Sequence, residues 1–165
     1  MTSARRVGRF ALVWCGLGVL MLGACVAEQK TRPPRAPGDL RASFLTVAVE
    51  PLGDADLNGY PDTIPVTIYI WDERYPIPIW ADGGITFELH SGDEVLASWQ
   101  VPIEVVESAR RRTQVGPAHL LTLDMRTAMA DVRPASVATL SAVFAPSAPS
   151  EPASTVRPMA IRIGN

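Results

Sequence analysis

The chain has 165 residues, with 15 Lys+Arg against 17 Asp+Glu and a formal charge of −2. That length carries one ordinary domain once a leader and a spacer are set aside, and hardly two. Three basic residues, Arg5, Arg6 and Arg9, fall in the first nine positions, so 15 less 3 leaves 12 basic side chains against 17 acidic ones beyond residue 24. A phosphate-binding surface needs the opposite balance, and nucleic acid is not an expected partner.

The basic start is followed by an apolar run, Phe10–Gly23 (FALVWCGLGVLMLG), which has the length of a signal-peptide core rather than the ~20 residues of a spanning helix. Next comes Leu22-Gly23-Ala24-Cys25. This resembles the bacterial lipobox, in which an aliphatic residue and two small ones precede a cysteine that takes lipid. The resemblance implies cleavage before Cys25, a diacylglyceryl group on its thiol, an amide-linked acyl chain on its amine, and hence a lipid-anchored envelope protein with the membrane as partner. More than one long chain makes such anchoring effectively stable, at ~0.8 kcal/mol per buried methylene. An ordinary leader or an uncleaved anchor helix would leave the position of Cys25 unexplained. Arg5-Arg6 is not extended by Val7-Gly8-Arg9 into a twin-arginine signal. Val26 stands where many inner-membrane lipoproteins carry Asp, which points to the outer membrane in a cell that has two. Cys15 leaves with the leader, so the expected mature domain has no disulfide and rests on packing alone.

Residues 25–42 read as the lipidated cysteine and a polar, proline-rich linker interrupted by Pro33, Pro34 and Pro37. Its reach is roughly 20–50 Å, depending on whether it is coiled or polyproline-like. From residue 43 to 165 a β-sandwich domain is expected, because apolar residues recur at every second position in short runs between turns. The runs are Phe44–Val49, Pro65–Trp71, Ile85–His90, Glu94–Val101, His119–Met125, Ser136–Phe144 and Met159–Ile163. Seven strands with no long amphipathic helix between them predict an all-β, immunoglobulin-like or transthyretin-like sandwich. Ser91-Gly92-Asp93 would join the third and fourth strands as a hairpin. One short helix is expected over Pro102–Arg112, with Glu104 and Glu107 toward its start and Arg110 to Arg112 toward its end. Ser147–Pro158, rich in Pro, Ser and Ala, reads as an exposed loop.

Chemistry concentrates in Asp54-Ala55-Asp56-Leu57-Asn58-Gly59-Tyr60-Pro61-Asp62. The segment resembles the first nine positions of an EF-hand-type or thrombospondin-repeat-type calcium loop. That resemblance implies a cation held by Asp54, Asp56, Asn58, the Tyr60 carbonyl and Asp62, with Gly59 making the sharp turn. The position of the closing bidentate glutamate is Pro65, so Glu50, Asp72 or another distant carboxylate would have to complete the shell. The competing expectation is a plain inter-strand turn, with Asx side chains on nearby amides and Asn-Gly supplying positive φ. A second feature is Tyr69, Trp71, Tyr75 and Trp80, which read either as an exposed platform for a glycan or an envelope protein, with Trp71, Tyr75 and Trp80 as its binding residues, or as cover for the sheet. No nucleophile–base or metalloprotease pattern is present. His90 and His119 are expected as solvated strand residues, Arg110 to Arg112 as a charged helix end with binding of anionic headgroups or wall polymer as the alternative, and the domain as non-enzymatic, an envelope hydrolase being the competing class.

Overall fold

The computed structural model describes residues 38–130, 132–148 and 151–165. The expected leader, Cys15, Cys25 and the expected linker up to residue 37 lie outside the described residues. Alternating apolar residues pair into strands β1 (Phe44–Val49), β2 (Thr63–Trp71), β3 (Gly83–Ser91), β4 (Glu94–Val101), β5 (Arg110–Arg112), β6 (Pro117–Asp124), β7 (Ser136–Pro146), β8 (Ala153–Ser154) and β9 (Met159–Ile163). A single short helix, α1 (Ile103–Ser108), and a 3-10 turn at Met125–Thr127 complete the regular structure among the described residues.

The strands form two antiparallel sheets. One has the order β1-β2-β6-β5; the other runs β4-β3-β7, with β8 and β9 both pairing along the far edge of β7. In immunoglobulin lettering this is A-B-E-D against C′-C-F-G, so the expected sandwich is present and its strand order is the immunoglobulin-like one. A parallel bridge from Leu45 to Thr155 links β1 to the edge of the second sheet. Period-two burial holds along the central strands: Ile64, Val66, Ile68 and Ile70 of β2 face Ile85, Phe87 and Leu89 of β3 and Leu140, Ala142 and Phe144 of β7 in one core. Each large apolar side chain so buried stabilises the fold by about 1.5–3 kcal/mol relative to exposure. Gly92, at φ +58, occupies the first position of the two-residue turn between β3 and β4, where few other residues fit.

Several expectations are corrected. The helix ends at Ser108 instead of Arg112, and Arg110–Arg112 form an edge strand on β6. The Gly116 turn, at φ +143 and closed by the Thr113 amide donating to the Gly116 carbonyl at 2.9 Å, returns the chain as a hairpin, and ladder pairing outweighs the weak attraction of arginines to a helix end. The expected exposed loop over Ser147–Pro158 contains β8, because Ala153 is small enough to be buried beside Phe144. These two additions bring seven strands to nine. Leu40 and Ala42 pack on the core, and the Arg41 amide donates to Asp72 Oδ2 at 2.8 Å, so the folded part starts ahead of residue 43.

Register decides which loops share an end of the sandwich. Phe44 faces Trp71, Arg112 faces Pro117 and Gly83 faces Pro146. Residues 38–43, the 72–82 loop and the 113–116 turn therefore lie at one end. Thr63 faces Asp124 and Ser91 faces Glu94, so the 50–62 loop, the Gly92-Asp93 turn and the Met125–Thr127 turn lie at the other. The chain enters its domain at the end opposite the aspartate loop.

Candidate functional site

The 54–62 segment folds back on its own amides. Asp54 accepts from the Asn58 amide at 3.2 Å and the Gly59 amide at 2.8 Å, Asp56 accepts from Asn58 at 3.1 Å, and Asn58 Oδ1 accepts from the Tyr60 amide at 2.7 Å. Leu57 (φ 61) and Gly59 (φ 88) take the left-handed conformations that this tight path requires. These are the contacts of the plain Asx turn. The same path also gathers Asp54, Asp56 and Asp62 so that one carboxylate oxygen of each lies within 4.8 Å of the others. Asp62 is fully buried; its Oδ1 accepts from the Ala55 amide at 2.9 Å, and its Oδ2 has no hydrogen-bond donor.

The charge closing this group is a guanidinium. Arg126 Nη1 stands 3.3 Å from Asp62 Oδ2, while its Nε and Nη2 grip Asp124 at 3.0 and 2.8 Å. The approach to Asp62 has ion-pair distance without hydrogen-bond geometry, which is why Oδ2 is charge-compensated and still lacks a donor. Asp124, hydrogen-bonded to Arg126, is held below the usual carboxylate range. Neither Glu50 nor Asp72 joins the cluster: Asp72 lies at the opposite end of the sandwich, clamped by Arg74. Arg126 was not legible as a neighbour because it sits 64 positions beyond Asp62 and arrives through the β2–β6 register.

The aromatic residues do not form one platform. Trp71 stacks on Phe44 (6.0 Å, 8°), lies 6.4 Å from Tyr69, and donates to Thr46 Oγ1 at 2.9 Å on the outer face of the first sheet. Tyr75 is half-buried against the core. Trp80 meets the His119 ring edge-on at 5.4 Å and lies 5.5 Å under the Arg110 guanidinium, which is itself ion-paired to Asp82. Tyr75 and Trp80 share the wall of an open groove of about 470 Å³ with Leu40, Ile77, Pro78 and Arg112. Comparison with family models, with curated proteins and with solved structures returns no match.

His90 is partly exposed and pairs with Glu88 at 3.1 Å. His119 corrects its expectation, being fully buried with neither ring nitrogen hydrogen-bonded. On β6 it shares inward parity with Leu121 and Leu123, and one step of strand parity decided its fate. Burial, reinforced by the nearby Arg110 charge, pushes its pKa down to about 4.

Proposed function

We propose that the chain is a lipid-anchored, non-enzymatic envelope protein whose sandwich hangs from Cys25 and presents the aspartate loop away from the membrane. Support for the anchor comes from the basic start, the apolar run of leader length and Leu22-Gly23-Ala24-Cys25. The observation that carries the orientation is the register, because the chain joins the domain at residues 38–43 and the aspartate loop lies at the far end. Strands of eight or nine residues at ~3.3 Å per residue put roughly 25–30 Å between the two ends. A non-enzymatic role fits the ionisable groups: His119 is sealed, His90 lies on an outer strand face with Glu88, and the cleft around Asp39, Asp72 and Arg74 is spent on internal ion pairs. The expected result of Cys25→Ser is transfer of the protein from the detergent phase to the aqueous phase on phase separation; retention in the detergent phase contradicts the anchor.

A second reading, a calcium-stabilised assembly module, is favoured by one observation: three carboxylates converge within 4.8 Å around the buried Asp62. Arg126 competes for that position. Millimolar calcium is therefore expected to raise the melting temperature by several degrees over chelator, corresponding to about 2–3 kcal/mol at a hundredfold excess over Kd. The shift should grow in Arg126→Gln and vanish in Asp54→Asn. An unchanged melting temperature in both the parent and Arg126→Gln excludes calcium.

A further inference from the structure

The groove beside Trp80 lies at the end where the chain enters the domain, and Gly38, the first described residue, forms part of its wall. Its other walls include Leu40, Tyr75, Ile77, Pro78 and Trp80, and among the described residues Arg112 is the one charged side chain lining it. Neither Arg111 nor Arg112 is ion-paired among the described residues, and both are exposed. Of the carboxylates at this end, Asp39 and Asp72 pair with Arg74 and Asp82 pairs with Arg110, while Glu73 is exposed and has no ion pair among the described residues.

Two apolar side chains, one exposed and one half-buried, lie at the same end of the sandwich as these arginines. Val115, at the tip of the β5–β6 turn, is 51% exposed. Ile77 stands on the neighbouring loop, and Gly116 fixes the turn against that loop, since a Cβ there would come within 3.1 Å of Pro78 Cδ. Half-buried indole and phenol along a groove, an exposed valine and two guanidinium groups without ion pairs, one of them donating to the Ser108 and Arg110 carbonyls, form at this end a combination that settles at a bilayer surface, where rings sit at headgroup depth and arginines meet phosphate.

From this placement we infer that the corner formed by Tyr75, Ile77, Trp80, Arg111, Arg112 and Val115 docks on the anionic headgroups of the membrane that holds the anchor. The inference rests on the lipid-anchor reading for its source of proximity. Gly38 is 38 − 25 = 13 residues from Cys25, so a tether of about 40 Å at full polyproline extension keeps this corner at high effective concentration over the lipid. Charge selects which end turns inward, because the opposite end carries Asp54, Asp56 and Asp62 and is repelled by an anionic leaflet.

The test uses mature protein isolated from its membrane and reconstituted into vesicles of phosphatidylcholine alone or with phosphatidylglycerol, each containing brominated acyl chains that quench tryptophan. Trp80→Phe assigns the signal. Docking predicts Trp80 quenching about threefold or more stronger in the anionic vesicles, falling to the neutral level in Arg111→Glu/Arg112→Glu and in high salt, with the protein still vesicle-bound. Equal quenching in the two vesicle types, or quenching that survives charge reversal, overturns the inference. Protein that reaches anionic vesicles through these arginines but has an unmodified Cys25 by mass would sustain the docking corner and remove the anchor, so the two failures are separable.

Discussion

Lowering the pH from 7 to 5 is expected to cost the native state about 2 kcal/mol through His119 alone. At pH 7 the ring is neutral in both folded and unfolded chains and makes no pH-dependent contribution. Below the ordinary value of 6.5 the unfolded chain takes up a proton that the folded chain, with His119 pushed down to about 4, does not accept. Stability therefore falls between those values and levels off below the lower one, for a full loss of about 3 kcal/mol. The groups facing the ring leave it no alternative. Ile68 pairs with it from β2, Arg110 pairs with it from β5 and adds like charge, and Trp80 covers its edge. His119→Leu removes two buried nitrogens that lack partners and is expected to stabilise the protein by about 1–2 kcal/mol at pH 7. Urea unfolding at pH 7 and pH 5 checks both statements. If the two proteins lose equal stability over that interval, His119 is not sealed as described.

Asp72→Ala is expected to destabilise by about 2–3 kcal/mol, through removal of a buried carboxylate that organises the start of the domain. Asp72 is 3% exposed and accepts from the Arg41 amide at 2.8 Å, the Arg74 amide at 2.8 Å and the Arg74 guanidinium at 2.9 and 3.1 Å. These donors hold it well below the usual carboxylate range, with the Arg74 side chain the largest cause. A depressed carboxylate contributes stability above its unfolded value of about 3.8 and loses it only as pH falls through the folded value, so Asp72 plays no part in the loss between pH 7 and 5. Truncation should also speed amide exchange over residues 38–43, since the Arg41 amide loses its acceptor. A change below about 0.5 kcal/mol, with exchange unaltered, would show that the clamp is dispensable.

Strand periodicity was readable because one face of each strand meets a continuous core. Phe44–Val49, Glu94–Val101 and Met159–Ile163 have the bounds that alternation alone gives them. Arg110–Arg112 was not readable, since three arginines carry no apolar alternation and only the partner β6 makes them a strand. Ala153 escaped for the related reason that a small residue among prolines and serines signals a loop until Phe144 is placed beside it. In the aspartate loop, spacing brought the carboxylates together as expected, whereas Arg126 depends on long-range pairing. Trp71, Tyr75 and Trp80 are neighbours in sequence, yet the turn after Trp71 sends Trp71 to a sheet face and the other two to the groove. His119 shows the limit of residue type as a guide, because parity on β6 outweighed the polarity of the ring.

The proposed outward orientation of the aspartate loop rests on acylation of Cys25, which also supplies the proximity to lipid invoked for the proposed docking corner at Trp80. The most direct measurement is intact and fragment mass analysis of the protein purified from native membranes. A mature chain beginning at Cys25, with acyl groups on its thiol and amine, is the predicted result. A free thiol at Cys25, or a mature terminus at any other residue, would contradict it.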